Sequence, residues 1–421
     1  MLTESSGAFA DAALGRALQD CELRESDRHL ATILVYGSLA RRLTLDHTLS
    51  AYLARPLESL DLRVREVLRL GLFQIAFLDR VPAYAAVNTS VALVKQGSRN
   101  AAGLVNAVLR RAPREGLAAA PDGDEAERYA VELSHPRWLV QRWIAELGKD
   151  QALQLMSANN EAMPNVLRAL LPRDQALEKL SEAGIAAEET RFAPDGIRAA
   201  LPVTMPGVVM PQGEASQLVA LLVGAAAGSR ILDACASPGG KSAYLAQQVG
   251  PAGRVTAVDP SSRALSRIQR LLDSAGITNV DINNCRIEDF PSESAEFDAV
   301  LVDAPCSGLG TAREHPEIRW RRSPQDIDDI SVRQRSVLAA GAAHVAPGGG
   351  LVYATCTLLE QENDQVVNDF LADNPMFAED HSLPPALGAG AELCQRGRLR
   401  TFPHRHDMAG FFAARMRRSA D

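Results

Sequence analysis

Lysine is nearly missing from this chain of 421 residues: Lys95, Lys149, Lys179 and Lys241 are the only ones, so almost all positive charge is arginine. Against that background a lysine inside a glycine turn, Lys241, stands out. The six cysteines, Cys21, Cys235, Cys285, Cys306, Cys356 and Cys394, form no C-x-x-C pair, which argues against a zinc knuckle and against a disulfide framework. No metal is expected. The opening stretch MLTESSGAFADAALGRALQD has neither the basic end nor the unbroken apolar run of a signal peptide, and no apolar stretch reaches membrane-spanning length. These absences point to a cytoplasmic chain without a membrane partner.

Hydrophobic residues make up 46% of the sequence, enough for a large core, and the length suits two or three domains. A formal net charge of -8 gives no overall attraction to phosphates. Two runs are nonetheless basic: Arg313, Arg319, Arg321 and Arg322, and then Arg396, Arg398, Arg400, His404, Arg405 and His406. Each reads either as a solvated charged face or as a phosphate-binding surface. From about residue 8 to 111, apolar residues recur at three- and four-residue spacing, as in Val64, Val67, Leu68, Gly71 and Ile75, which predicts helices. The stretch 112–127, APREGLAAAPDGDEAE, reads as a linker between domains. Residues 128–205 combine an amphipathic helix around Trp138 to Leu147 with a mixed helix and strand segment. From Met205 onward the apolar strands SRILDACA, GRVTAVD, VDINNC, EFDAVLVDAPC and GGGLVYATC alternate with helices. That is the pattern of a mostly parallel, doubly wound sheet, whose ligands bind at the carboxyl ends of the strands.

The stretch Asp233-Ala-Cys-Ala-Ser-Pro-Gly-Gly-Lys-Ser242 follows the first of these strands and leads into a helix. Gly239 and Gly240 allow a sharp turn and let a ligand approach backbone N–H groups. The stretch fits neither G-x-x-x-x-G-K-[ST] nor G-x-G-x-x-G, so a phosphate loop is not expected. About twenty residues past Gly239 the second strand ends in Asp259, where a carboxylate can accept hydrogen bonds from ribose hydroxyls. A glycine turn plus a strand-ending acid predicts an adenosine cofactor without a phosphate chain, for which S-adenosylmethionine is the natural candidate.

Two further strands end in Asp303-Ala-Pro-Cys306-Ser-Gly and in Thr355-Cys356-Thr357. In the usual strand order of this fold they are neighbours, which brings two thiols to one cleft. Taken singly, each cysteine reads as a small buried apolar residue. Together, beside Asp303 and a cofactor turn, they suit methylation of carbon 5 of cytosine. That carbon is too weak a nucleophile to take a methyl group unaided, so a thiolate must first add to carbon 6. A hydrogen bond or proton at ring nitrogen 3 lowers the barrier to addition, a task for Asp303 if its environment raises its pKa. The carbon 5 proton must then leave and the thiol be expelled, which the second cysteine or a water it positions can assist. Spacing alone does not say which cysteine does which.

At this point the motifs resemble a family: bacterial ribosomal RNA cytosine 5-methyltransferases of the RsmB type, also called Sun or Fmu. CASPGGKS (235–242), DAPCSGLGT (303–311), HPEIRW (315–320), YATCTLLEQEN (353–363) and PHRHDMAGFFAARM (403–416) look like its methyltransferase motifs. LRLGLFQIAFLDRVPAYAAVNTSVALVK and GLVNAVLRR resemble its NusB-like helical domain, and SHPRWLVQRWIAELG its connecting segment. The resemblance implies a multidomain chain: an all-α NusB-like RNA-binding domain over 1–114, a small α+β connecting domain over 125–205, and an α/β Rossmann-like methyltransferase over 206–421. It implies Cys356 as nucleophile and Cys306 as the residue assisting release, with Cys235, Ala236, Ser237, Pro238, Gly239, Gly240, Lys241, Asp259 and Asp303 at the S-adenosylmethionine site. Asp303 is then shared between the cofactor's methionine end and the base. The implied substrate is 16S ribosomal RNA, unassembled or loosely structured because the base must leave its stack, and the chain is expected to act as a monomer.

The sequence departs from the family pattern at several turns. Asn284 stands where Asp is common, and its carbonyl can still accept from the adenine amino group. Ser237 replaces Ala, Gly213 replaces Asp, and Ala409 replaces an acid. Arg313, His315, Arg319, Trp320, Arg321 and Arg322 are candidates for phosphate binding and base stacking, with Trp320 equally suited to anchoring a core. Two rival functions are a transfer RNA cytosine 5-methyltransferase and a non-catalytic RNA-binding assembly factor. Loss of either cysteine or of Asp303 would have favoured the latter, and all three are present. The cysteine pair and extra domains disfavour a small-molecule methyltransferase.

Overall fold

The computed structural model describes residues 9–19, 21–291 and 296–420. Its contacts divide the chain into two compact units, Met1–Ala162 with Ala312–Arg322, and Met163–Thr311 with Ser323–Asp421.

The first unit contains helices and no strand among its described residues. Its central helix, Leu62–Phe77, starts at Asp61, whose carboxylate accepts the Arg63 N–H and so satisfies one of the orphan donors of the first turn. The three- and four-residue spacing puts Val64, Val67, Leu68 and Leu72 on one buried stripe, packed with Leu45, Leu49, Val87, Val105 and Leu109. Gly71 permits a close helix crossing, since a Cβ there would lie 2.5 Å from Leu109 Cδ1 and 2.7 Å from Ser90 Oγ. The stretch 112–127 holds a one-turn helix, Ala112–Glu115, then irregular chain up to the helix Glu125–Leu133. Helix Arg137–Leu147 follows, with Leu139, Val140 and Trp143 buried.

The second unit carries two sheets. In the smaller, β1 (Asn165–Ala169), β2 (Ala187–Glu189), β3 (Gly196–Ala199) and β4 (Val209–Pro211) lie in the antiparallel order β2-β3-β1-β4. Helix Arg173–Glu182 packs Ala176 and Leu180 onto Leu167 and Ile197. Arg168 of β1 is fully buried and reaches Gln212 Oε1 at 2.6 Å and the Tyr244 ring at 4.3 Å, tying the small sheet to the helix Gly240–Val249.

The larger sheet comprises β5 (Arg230–Asp233), β6 (Arg254–Val258), β7 (Val280–Asn283), β8 (Phe297–Asp303), β9 (Val345–Thr355), β10 (Phe377–Glu379), β11 (Cys394–Gln395), β12 (Arg398–Arg400) and β13 (Phe412–Arg418). Its order is β11-β12-β13-β9-β8-β5-β6-β7, with β10 also paired to β13. The five strands from β9 to β7 are mutually parallel, and the β10–β13 pairings are antiparallel, so the expected doubly wound sheet is present with an antiparallel extension. Both faces are covered: Ile231, Leu301 and Val352 enter one cluster, while their sequence neighbours Leu232, Val300 and Tyr353 enter the other. This explains the nearly continuous apolar runs of β8 and β9. Strand order reverses between β5 and β8, which opens a crevice at their carboxyl ends. No helix of the described residues is long and apolar enough to cross a membrane.

Candidate active site

The turn after β5 supplies one wall of the crevice. Gly239 adopts φ +104°, a left-handed conformation that favours glycine, and a Cβ there would meet the Ile268 side chain at 3.0 Å. Helix Gly240–Val249 starts at once, so its first-turn N–H groups, which have no partners within the helix, face the crevice end of the sheet. Asp233, at the end of β5, is buried, and its Oδ2 accepts the Ser242 hydroxyl at 2.6 Å. Burial pushes its carboxyl up to about 6, against the opposing pull of that hydrogen bond.

Asp259 follows β6. One of its oxygens accepts the Ser261 N–H at 2.8 Å, and the other has no partner among the described residues. Asn284, past β7, donates its amide to the Asp259 carbonyl oxygen at 3.1 Å, which leaves the Asn284 side-chain oxygen as the open end. A carboxylate oxygen for ribose, an amide oxygen for an adenine amino group and first-turn N–H donors for a carboxylate are the complement of S-adenosylmethionine, so the residues fit that cofactor. Cys235 is packed into the core, and burial, reinforced by Asp233, pushes its thiol well up, so it stays protonated.

Asp303 ends β8, and its Oδ2 lies 2.6 Å from Lys241 Nζ. The Lys241 ammonium also lies 5.3 Å from the centre of the Phe411 ring. Burial alone would lower the Lys241 pKa, but the Asp303 carboxylate outweighs it and holds the lysine charged. The chain's isolated lysine thus joins the cofactor turn to the aspartate of the next strand.

Because β8 and β9 are adjacent and parallel, with Asp303 opposite Ala354, the two loops leaving them run side by side. Cys306 Sγ and Cys356 Sγ are 3.2 Å apart, and the Cys356 N–H points at the Cys306 sulfur at 3.3 Å. The hydrogen bond to Cys356, then burial, pushes the Cys306 thiol well up, so at neutral pH it is a thiol able to donate to its partner's sulfur. Gly310 is required here. Its N–H donates to Cys356 O at 3.0 Å, its carbonyl accepts the Gly410 N–H at 2.8 Å, and a Cβ on it would lie 1.9 Å from the Gly410 oxygen.

The structure therefore gathers Cys306, Cys356, Asp303 and Lys241 at one end of the sheet, with Asp259 and Asn284 at the strands on the other side of β5. Of the two basic runs, Arg396 and Arg405 are exposed, but several other members are taken up by contacts within the fold. Arg319 is fully buried in the first unit, donating to the carbonyls of Ser134, Asn159 and Ala312 and to Asn160 Oδ1, at 2.9 to 3.2 Å. Arg313 is also turned inward, onto Ala162 O, and the Trp320 indole donates to Leu39 O. In the second run Arg398 and Arg400 are paired with Asp364. Burial, with Arg405 beside it, lowers His404 to about 4. These arginines tie segments together. Sequence reasoning also missed Glu362, Ser307, Thr357 and Gln334, a buried polar cluster behind the cysteines. Three of these lie inside the cysteine motifs, but nothing in their spacing marks them as partners.

Residues 220–417 match the family described as 16S rRNA methyltransferase RsmB/F. Residues 2–114 match the NusB family, and residues 135–205 the ferredoxin-like domain of RsmF/B-like methyltransferases. A Bacillus subtilis protein described as a probable ribosomal RNA small subunit methyltransferase B is 33% identical, the match covering 99% of this chain and 96% of that protein. Among solved structures, the protein PH0851 superposes with a TM-score of 0.81 at 23% identity, over 95% of this chain and 93% of its own. NSun6 from Pyrococcus horikoshii, solved with SFG, gives a TM-score of 0.60 at 19% identity, over 68% of this chain and 99% of its own.

Proposed function

The chain belongs to the RsmB/F family of methyltransferases, which use S-adenosylmethionine, and from that premise we propose that it methylates carbon 5 of a cytosine in 16S ribosomal RNA through a covalent bond to Cys356. The division into a NusB-like domain over 1–114, a connecting domain over 125–205 and a methyltransferase domain over 206–421 is part of the proposal. The observation that carries it is the 3.2 Å approach of Cys306 and Cys356 next to the ion pair of Asp303 and Lys241.

In this scheme the Cys356 thiolate adds to carbon 6 of the flipped-out cytosine, and ring nitrogen 3 takes up a proton from solvent water as charge builds on the ring, a proton it gives back to water once the product ring is restored. Asp303, held by Lys241 at 2.6 Å, accepts the hydrogen bond from the protonated nitrogen. The bound cofactor supplies the methyl group that carbon 5 takes. A water removes the carbon 5 proton, the electrons of that C–H bond re-form the double bond to carbon 6, and the C–S bond breaks. Its electron pair leaves on the Cys356 sulfur, where the protonated Cys306 stabilises it by donating its S–H. Cys235, Ala236, Ser237, Pro238, Gly239, Gly240, Lys241, Asp259, Asn284 and Asp303 are assigned to the cofactor. The RNA is taken as unassembled or loosely structured, and the protein as a cytoplasmic monomer.

Bisulfite sequencing of ribosomal and transfer RNA, from cells with and without the gene, tests the substrate. Loss of one protected cytosine in 16S RNA is expected. Loss of one in transfer RNA, or no change in any RNA, would contradict the assignment.

A further inference from the structure

Glu362 is a fully buried carboxylate with no part in the scheme above. Its Oε1 accepts the Ser307 N–H at 2.7 Å and the Gln334 amide at 3.1 Å. Its Oε2 lies 2.5 Å from the Ser307 hydroxyl and 3.0 Å from the Thr357 hydroxyl, and these hydroxyls are themselves 2.9 Å apart. Ser307 is the residue after Cys306, and Thr357 the residue after Cys356. The carboxylate therefore grips the same position in each of two loops that are otherwise fifty residues apart. Gln334 adds a third tie, since its amide also donates to Pro305 O at 3.1 Å, on the other side of Cys306. Glu362 is itself fixed, its carbonyl oxygen accepting the Tyr353 hydroxyl at 2.7 Å, and the next residue, Asn363, donates to Thr357 O at 3.0 Å.

Burying a carboxylate is costly unless several donors meet it, and here they converge from both cysteine loops and from the helix Pro324–Ala342. Holding a reacting pair to a fraction of an ångström is what a carboxylate met by donors at both oxygens can do, and a misplacement of about 1 Å costs on the order of 10²-fold in rate. We infer that Glu362 is a positioning residue whose carboxylate, through Ser307 and Thr357, sets the separation of the Cys306 and Cys356 sulfurs. The inference rests on the covalent reading of the site.

Two variants of the full-length protein separate this role from folding alone. Glu362→Ala removes the anchor. Glu362→Gln keeps its shape, and the two hydroxyls can rotate to accept from the new amide. The readout is the rate of covalent adduct formation, at saturating cofactor and saturating RNA containing 5-fluorocytidine. Glu362→Ala is expected to slow this rate by about 10²-fold while cofactor and RNA dissociation constants stay within about twofold, and Glu362→Gln to recover it to within about tenfold of the parent. A folded Glu362→Ala protein reacting at the parent rate overturns the inference, as does a Glu362→Gln protein no faster than Glu362→Ala. Should Glu362→Ala fail to fold, the double variant Ser307→Ala, Thr357→Val carries the test, with about tenfold slowing expected and an unchanged rate overturning it. Absence of adduct in the parent protein would instead defeat the covalent reading itself.

Discussion

The sulfurs of Cys306 and Cys356 touch at 3.2 Å, and the backbone N–H of the second is aimed at the sulfur of the first. Two sulfurs at hydrogen-bond distance suit a nucleophile with a donor beside it. In the proposed scheme the donor is Cys306, whose thiol its partner and its burial push up, and the attacking sulfur is that of Cys356. The role of Cys356 comes from family resemblance, whereas the protonated state of Cys306 comes from its surroundings.

Replacing Cys356 by Ala removes the proposed attacking atom and leaves the turns after β5 and β6 untouched. Methyl transfer to RNA is expected to fall by at least about 10³-fold, with cofactor affinity within about twofold of the parent. Radiolabelled methyl incorporation and calorimetric titration measure the two. Retained activity would refute the nucleophile assignment.

Cys306→Ala takes away the group proposed to stabilise the departing sulfur. The bond to carbon 6 still forms but breaks slowly, so a protein–RNA adduct should accumulate and show as a shifted band on a denaturing gel. A variant that turns over normally, without such a band, would contradict the role given to Cys306.

Gly310→Ala places a methyl group 1.9 Å from the Gly410 oxygen and 2.9 Å from the Cys356 oxygen. Backbone cannot yield that far without moving the loop that carries Cys356. Loss of kcat by about 10²-fold with little change in RNA affinity is expected, read from steady-state kinetics. Normal kcat would show that the loop tolerates the displacement.

Asp233 has a folded-state pKa of about 6, above the unfolded value of 3.8, because burial disfavours its charge. Its contribution to stability is most favourable below the unfolded value and is lost as pH rises through the folded one. Over that window the loss amounts to about 3 kcal/mol. Unfolding free energies from urea titrations should therefore show the parent losing stability relative to Asp233→Asn between pH 4 and pH 6. Parallel curves over that range would contradict the shift.

Arg319→Met leaves the buried carbonyls of Ser134, Asn159 and Ala312 without their donor. Burial already lowers the Arg319 pKa to about 9, a mark of how far the group sits from water. A destabilisation of about 3–5 kcal/mol is expected in denaturant titrations. Unchanged stability with weakened RNA binding would restore the phosphate-contact role that the sequence had suggested.

Much of this is legible in the sequence alone. Apolar spacing gave the helices around Val64 to Ile75, and strand-end motifs predicted that Cys306 and Cys356 meet, because adjacency of β8 and β9 follows from the usual strand order. What stayed hidden depends on side-chain pairing across long sequence separations. Arg319 reads as surface charge until its partner Asn160, 159 residues away, is known. Glu362 reads as one acid among several in YATCTLLEQEN until Ser307, 55 residues earlier, is seen to donate to it. A hydrophobic pattern reports which face is buried and carries no information on which polar group is buried with it.

Which atom of the protein bonds to the base decides the mechanism. RNA containing 5-fluorocytidine retains fluorine at carbon 5, so the last step stops and the adduct persists. Peptide mass mapping of that adduct after nuclease digestion is expected to find the modified pyrimidine, carrying both fluorine and the added methyl group, on Cys356. Its attachment to Cys306, or the absence of any adduct from active protein, would contradict the proposed mechanism.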